Sequence, residues 1–423
     1  MNKFFIGLVM LTISSVISAK DILSLDSCKR MAVKNNLAVK QADNQVVSSQ
    51  EAMKQAYTSF FPTVKATGMY YKPSSPLLDF EYGGERVIDG KYGYTAGVEA
   101  SLPIYSGGQL TNSYKLSKVG VEVSQLERQK LLRDVDIQVE GYFWQIVMLQ
   151  EKIKTVDSAD TLLADLHKTV ENAVKNGLKN RNDLLKVELR IDENESNRLQ
   201  LENRLKVSKQ LLAQYIGRSD ADFDVTSEIN VSNLHHDLVS LRQNHDMAVG
   251  HIAEYRLLQK NVDAGKLEVD LERGKYLPTI GLGTGYEYEK FFGKAGGGAA
   301  LYATVSIPIS DWWGGSHAIK SKKKELENAQ YELENSKQKL LIQIDKLWYD
   351  VEEAYKILSI AQKSIIQAEE NLRINRNTYR FGTTTMTELL DAELLCRQVH
   401  DNYSEAYSKL HTKIIEYKLM ISD

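Results

Sequence analysis

Catalysis and metal binding need side chains that converge, and this chain offers few that do. Glu388 and Asp391 lie three apart in the run Thr385-Met386-Thr387-Glu388-Leu389-Leu390-Asp391, on one face of a helix. By themselves two such carboxylates form a solvated acidic face. His235, His236, His245 and His251 are potential ligands, but their spacing gives no helix-face pair backed by a carboxylate, so no metal site is expected. Cys28 and Cys396 lack metal-type spacing. A disulfide in an oxidising compartment and two free or buried thiols both remain open. There is no Ser-His-Asp order, phosphate loop or nucleophile motif. These residues do not describe an enzyme, and none of them calls for a cofactor.

The informative chemistry lies in the arrangement, and the arrangement is repeated. One half carries FFPTVKATGMYY (Phe60–Tyr71), SLPIYSGGQL (Ser101–Leu110) and NGLKNRNDLL (Asn176–Leu185). The other carries YLPTIGLGTGYEY (Tyr276–Tyr288), SIPISDWWGGSH (Ser306–His317) and FGTTTMTELLDAEL (Phe381–Leu394). Pro103 and Pro308 are 205 positions apart, as are Gly177 and Gly382. Such an internal repeat means two copies of one structural unit, here a helix, two strands and a long helical hairpin. The expected organisation is a signal peptide over 1–19, a first repeat over 20–217, a linker over 218–233 and a second repeat over 234–423.

A net charge of −3 leaves no basic footprint for nucleic acid. The opening MNKFFIGLVMLTISSVISAK has a short positive region, an apolar run and a small-residue end, the pattern of a secretory signal peptide. Cys28 lies well past that run, behind Asp26, and is a poor lipidation site. No later stretch reaches the ~18–20 apolar residues of a membrane helix.

Four segments alternate with period two: Thr63–Lys72, Tyr92–Leu102, Thr279–Tyr288 and Ala299–Ile307. Each sets an apolar or tyrosine-bearing face against a small or polar one, as a transmembrane β-strand does between lipid and a wet lumen. Pro73–Lys91 and Glu289–Gly298, rich in glycine and polar residues, read as long exposed loops between the paired strands. Helices are expected at Ser24–Tyr57, Gln109–Lys175, Asn182–Ile216, Leu238–Lys275, Ser316–Arg380 and Thr385–Ile421. At ~1.5 Å per residue the longest would run about 100 Å. Leu116, Val119, Val123, Leu126, Leu131, Val135 and Val139 form an apolar stripe along one of them, which needs neighbours to pack against.

Four strands cannot stand in a bilayer as an open sheet, because each edge would leave N–H and C=O groups unpaired in hydrocarbon. Closure demands more strands, and copies of the same chain must supply them. Two copies would give eight strands and a filled lumen; three would give twelve and room for a passage.

The paired FFP and LP strand entries, the LPI-x-x-GG and IPI-x-x-x-x-GG strand-to-helix corners and the NGL and FGT helix turns resemble the TolC-like outer-membrane efflux proteins. The resemblance covers essentially the whole mature chain. It implies an α+β membrane protein in which each protomer gives four transmembrane strands to a trimeric twelve-stranded β-barrel, continuous with a long α-helical periplasmic barrel. The implied partners are two further copies, a periplasmic adaptor protein, an inner-membrane transporter and outer-membrane lipid. The implied function is an outer-membrane exit duct for tripartite efflux or type I secretion.

The resemblance also implies site residues. Glu388 and Asp391 would form an acidic ring at the pore constriction. Asp183 and Tyr379 would make the contacts that close the aperture, although Thr384 stands where the family has a basic latch residue; Arg380 or Arg181 could replace it. Gly177-Leu178 and Gly382-Thr383 would be the adaptor-docking tips, where glycine is first of all a helix C-cap. Trp312-Trp313, with Tyr70, Tyr71, Tyr92 and Tyr94, reads as interfacial aromatic anchoring. A periplasmic coiled-coil scaffold or adaptor with a small soluble β domain is the rival reading. Drug, metal-ion and protein cargo are equally open.

Overall fold

The structure is a computed structural model that describes residues 21–75, 79–82, 85–89, 92–226, 241, 242, 244–291 and 294–422. The expected signal peptide, His235, His236 and residues 227–233 of the expected linker lie outside these residues. In chain order the first elements are β1 (Asp21–Leu23), α1 (Leu25–Asn35), α2 (Leu37–Thr58), β2 (Thr63–Tyr71), β3 (Asp79–Tyr82) and β4 (Glu85–Asp89). Then come β5 (Gly93–Ser106), α3 (Gln109–Lys175), α4 (Arg181–Ile216) and β6 (Phe223–Val225). The rest are α5 (His245–Val249), α6 (Ala253–Gly274), β7 (Thr279–Phe291), β8 (Lys294–Ser306), α7 (Trp312–Arg380) and α8 (Met386–Ile421). Among the described residues no helix is long and apolar enough to cross a membrane.

These elements make two compact units, and each takes segments from both sequence repeats. One unit holds the sheet, in the order β2-β5-β7-β8 with every neighbour antiparallel. The ladder therefore joins the strand pair of one repeat directly to that of the other. Its register sorts the side chains as the alternation requires. Val64 sits opposite Ala100, Val98 opposite Tyr286, Leu102 opposite Leu282, and Thr284 opposite Leu301, all on one face. Lys65 opposite Glu99, Gly97 opposite Glu287, and Gly283 opposite Tyr302 share the other. A one-residue slip anywhere would exchange the two faces. Among the described residues nothing covers Leu301 on the apolar side, where it is 83% exposed.

The expected long loops are corrected here. The first contains the β3–β4 hairpin, and the second shrinks because the β7–β8 ladder runs on to Phe291 and Lys294. Gly296, Gly297 and Gly298 belong to β8, opposite Glu289, Tyr288 and Glu287. Glycine is a poor strand former alone, but a paired neighbour supplies the ladder, and the missing side chain at Gly297 leaves room for the Tyr286 ring.

The helix expected over Ser24–Tyr57 is two helices. Asn36 leaves the helical region with φ −58° and ψ 130°. Its side-chain amide donates to Tyr215 O (3.0 Å), and that of Asn35 donates to Ile216 O (3.1 Å), so the pair caps the open carbonyls at the end of α4. The helix expected over Leu238–Lys275 is likewise broken, into α5 and α6, at Gly250–Ile252. Within the expected linker, β6 pairs in parallel with β1. Cys28 and Cys396 are both free and buried, and burial pushes the Cys28 thiol up to about 11. His245 is engaged on both ring nitrogens, 2.7 Å from Asp345 Oδ1 and 3.2 Å from Tyr417 Oη.

The second unit is a set of helices around α3. Leu149 and Val156 of α3 pack on Leu201 of α4, with the buried Asn194 amide donating to Val156 O at 3.2 Å. On another side Trp144 of α3 meets Tyr407 and stacks on His411 of α8. Further contacts join α8 to α7, such as His400 with Glu369 at 3.1 Å. Within this unit α4 thus packs on α3, and α7 is joined to α8.

One corner positions the sheet against its helices. Gly107 (φ 61°) and Gly108 (φ 78°) turn β5 into α3 in the left-handed region. Gly107 also abuts the Gly274 carbonyl at the end of α6, where a β-carbon has no space, whereas Gly108 is open. Gly107→Ala is therefore expected to prevent assembly of folded protein. Gly108→Ala should cost only about 1 kcal/mol from the backbone conformation. Thermal melts of the two variants check the contrast, and equal losses would contradict it.

Candidate functional site

The two long helices end in the same way, because each runs without a proline until a glycine in the left-handed region. At the end of α3, Gly177 adopts φ 71°; at the end of α7, Gly382 adopts φ 75°. In the first tip Gly177 N donates to Val174 O (3.0 Å) and Leu178 N to Ala173 O (2.8 Å). In the second, Gly382 N donates to Tyr379 O (3.0 Å) and Thr383 N to Thr378 O (3.0 Å). Both are Schellman caps, which satisfy carbonyls that a helix end otherwise leaves open. Space is free around both glycines. Leu178 and Phe381 stand 76% and 83% exposed beside them.

The return helices start on side-chain caps. Asn180 Oδ1 accepts from Asn182 N at 3.1 Å to begin α4. At the start of α8, Glu388 N donates to Thr385 Oγ1 (3.2 Å), while Glu388 Oε2 accepts from Thr385 N (2.9 Å). This is a reciprocal capping box. The Thr384 hydroxyl donates to the same carboxylate oxygen. The hydroxyl of Thr384, the amide of Thr385 and the hydroxyl of Thr385 together hold the Glu388 carboxyl below its ordinary value. Asp391, one turn on, is exposed.

Behind the tips the four helices share one apolar cluster: Leu163 and Val170 of α3, Val187 of α4, Tyr379 of α7, and Met386, Leu389 and Leu390 of α8. Tyr379 is 7% exposed, and its hydroxyl has no hydrogen-bond partner among the described residues. Burial first, and then the charge of Asp183, push its phenol above the ordinary value. Lys179, just past the first tip, lies over the Tyr379 ring with Nζ 4.5 Å from the centroid. Lys186 Nζ donates to Thr387 Oγ1 at 2.8 Å, tying α4 to α8.

The sequence-expected residues are therefore brought together at one end of the helical unit. Gly177, Leu178, Gly382 and Thr383 form the tips. Asp183 and Tyr379 lie close enough to interact electrostatically, and Glu388 and Asp391 sit on the first turns of α8. Sequence reasoning missed the cap role of Glu388, although the Thr-x-x-Glu spacing at 385–388 carries that signal. It also missed Lys179 and Lys186. The contact between Lys186 and Thr387 joins residues 201 positions apart, which no local pattern reveals. Among the described residues no group of three or more histidine, cysteine or acidic side chains is placed to hold a metal ion.

The pattern of the outer membrane efflux protein family matches residues 30–218 and 254–416. The chain belongs to that family. Among solved structures, this efflux protein is similar to the outer membrane protein VceC of Vibrio cholerae at 14% identity, covering 93% of this chain and 94% of that one, with a TM-score of 0.77. The Campylobacter jejuni CmeC outer membrane channel gives 13% identity, 94% and 85% coverage and a TM-score of 0.79. The Neisseria gonorrhoeae MtrE outer membrane channel, in its open state, gives 15%, 94%, 88% and 0.75. No curated protein sequence matches. By family this chain is an outer-membrane efflux protein. Its fold is that of the outer-membrane channels.

The cap makes a prediction for the second tip. Thr385→Ala should lower the stability of the helical unit by about 1 kcal/mol. The folded-state pKa of Glu388 lies below its unfolded value. Its contribution is therefore present above the unfolded pKa and is lost as pH falls through the folded pKa. The protection factors of the amides at the start of α8, that is exchange corrected for its intrinsic pH dependence, should fall on acidification in the wild type and much less in Glu388→Gln. Equal loss of protection in both would contradict the assignment.

Proposed function

We propose that three copies of this efflux protein close into a ring, forming a passive duct that receives cargo from an inner-membrane transporter through a periplasmic adaptor. The observation that carries this reading is that each unit, taken alone, has two unfinished sides. In the sheet, β2 and β8 each have one neighbour among the described residues. In the helical unit, α4 has apolar residues on two opposite faces. Val187, Leu201 and Leu212 are buried, whereas Leu185, Leu189, Leu199 and Val207 are uncovered. On the far flank, α7 leaves Ile360 and Ile374 uncovered. Pairing β2 of one copy with β8 of the next, and α4 with α7, would satisfy both sets at once. This contact is heterologous, so it closes only as a ring. Three copies would give twelve strands, with lipid against the face of Val98, Tyr286 and Leu301 and water against that of Glu99, Glu287 and Tyr302.

Leu189 and Leu199 are 62% and 61% exposed in the protomer, so changing them should not unfold it. Leu189→Glu combined with Leu199→Glu is expected to abolish the heat-modifiable trimer on gels while leaving helicity intact. A trimer that survives would contradict this seam.

At the tip, Glu388 and Asp391 would face a narrow axis as three pairs. Carboxylates ~6 Å apart repel by roughly 3 kcal/mol at an effective dielectric of 20, which favours cations in the mouth. The Glu388 charge is engaged by its own helix cap, so Asp391 is the freer of the two. Asp391→Asn should weaken divalent-cation block in planar bilayers more than Glu388→Gln does. Unchanged block in both would remove these residues from the pore. Asp183 and Tyr379 would help hold the aperture shut, with Lys179 and Lys186 in place of the basic residue that Thr384 does not provide.

The exposed Leu178 and Phe381, presented by capped glycine turns, suit docking of adaptor hairpins at Gly177-Leu178 and Gly382-Thr383. Gly177→Trp should stop pump-dependent export while trimers persist; normal export would count against docking there.

A further inference from the structure

The start of α7 sets an aromatic pair above two cations on one face. At about 100° per residue, Trp312, Trp313, Ser316, Lys320 and Lys323 fall within ~100° of the helix circumference. Trp312 is fixed by its indole N–H, which donates to Tyr276 O at 2.9 Å, whereas Trp313 is 84% exposed. Ile307 and Ile309, just before them, are exposed as well and continue the apolar strand face of Leu301 and Val305. Lys320 and Lys323 follow Trp313 by about 10 and 15 Å along the helix. Both are exposed, and among the described residues neither forms an ion pair. Their neighbours differ: Lys322 pairs with Glu325 at 2.6 Å and Glu268 at 3.3 Å, and Lys324 pairs with Glu327. The first repeat carries the same two cations. Lys115 and Lys118 of α3 stand 205 positions before Lys320 and Lys323, and the two helices end 205 apart, at Lys175 and Arg380, so both pairs occupy the same turns. Between 109–122 and 314–327 the repeats agree only at these lysines and at Glu122 and Glu327. The two glutamates are held by Lys260 and Lys324. Lys115 and Lys118 are exposed and, among the described residues, have no ion pair; Lys118 lies over the Tyr114 ring, 4.6 Å from its centroid. Helix stability does not account for these cations, because a helix dipole favours positive charge at its C-terminus and they stand near the N-termini.

We infer that Lys115, Lys118, Lys320 and Lys323 bind the headgroups of anionic phospholipids in the leaflet on the helix side of the barrel. The inference rests on the reading of the Val98, Tyr286 and Leu301 face as lipid-facing and adds the headgroup chemistry that this surface selects. Side chains of a helix lean toward its N-terminus, and α3 and α7 both start at the sheet, so all four stems lean back toward the membrane. The headgroup layer extends about 5–7 Å beyond the hydrocarbon. A tryptophan ring sits at that level, and the long apolar stem of a lysine lets its charge reach up to it from below. In a zwitterionic lipid the phosphate is neutralised by the cation of its own headgroup, so free ammonium groups favour a lipid with net negative charge.

Tryptophan quenching tests this. Of the four tryptophans, Trp144 and Trp348 are buried, so quenching from lipid reports on Trp312 and Trp313. Purified protein is reconstituted in phosphatidylcholine vesicles with rising fractions of brominated phosphatidylglycerol or brominated phosphatidylcholine. The wild type should favour phosphatidylglycerol at least ~5-fold at low salt, with the preference shrinking as salt rises. Lys320→Gln with Lys323→Gln should abolish the preference. Lys266→Gln with Lys322→Gln removes the same charge from lysines that acids already hold, and should leave it intact. Equal quenching by both lipids in the wild type would overturn the inference and leave the lipid-facing reading standing. Loss of preference in both double variants, or in neither, would overturn it too. Absence of quenching by either lipid would put the tryptophan pair outside the bilayer and refute the lipid-facing reading with the inference. Native mass spectrometry covers the first repeat: protein released from vesicles of equal phosphatidylglycerol and phosphatidylcholine should retain phosphatidylglycerol in excess, and less of it in Lys115→Gln with Lys118→Gln. Equal retention would overturn the assignment of that pair. Unchanged helicity excludes misfolding, and lysine variants whose trimers fall apart on gels would show that these cations join copies to one another and bind no lipid.

Discussion

A backbone amide in hydrocarbon has no water to bond, and the sheet of this efflux protein has two edges, β2 and β8, that no other strand among the described residues pairs. Each group left unsatisfied costs several kcal/mol in lipid. The alternation of the strands sends one face toward lipid, and the unfinished edges demand further copies beside it. The helical unit repeats this logic with side chains. The second apolar stripe of α4 is as incomplete in water as the strand edges are in a bilayer. On the proposed reading, a protomer with both defects is a segment of a closed wall, and the function of a duct follows from that closure.

The working end depends on a different physics. The tips are turned by backbone conformations that glycine adopts freely, and their carbonyls are satisfied within the last turn. Their shape thus owes little to what lies beside them, and Leu178 and Phe381 are presented outward on a self-sufficient scaffold. Just behind them, the joint cluster around Tyr379 makes the two hairpins one body. Charge enters at its border, through Lys179 over the ring and Lys186 on Thr387.

Much of this was legible in the chain. The 205-residue repeat, the period-two strands and the proline-poor helices anticipate the four-stranded sheet and place the bounds of α3 at Gln109 and Lys175. Glycine at 177 and 382 marks the hairpin turns. What escaped was decided by partners distant in sequence. Gly296, Gly297 and Gly298 read as loop because nothing local shows that β7 pairs with them. Asn36 reads as helix because its cap on α4 joins positions 179 apart. Strands β1 and β6, three residues each, are too short to show a period. At the site, Glu388 carries two compatible signals, an acidic face and the Thr-x-x-Glu spacing of a cap, and the geometry of Thr385 establishes that the cap forms.

The most direct test of the central claim is the mass of the detergent-extracted particle by native mass spectrometry, set against its behaviour without detergent. A closed wall requires one species at three times the chain mass, which precipitates or loses its sheet once detergent is withdrawn. A stable, fully folded single chain in plain aqueous buffer would show that β2 and β8 need no neighbour, and the account would fall.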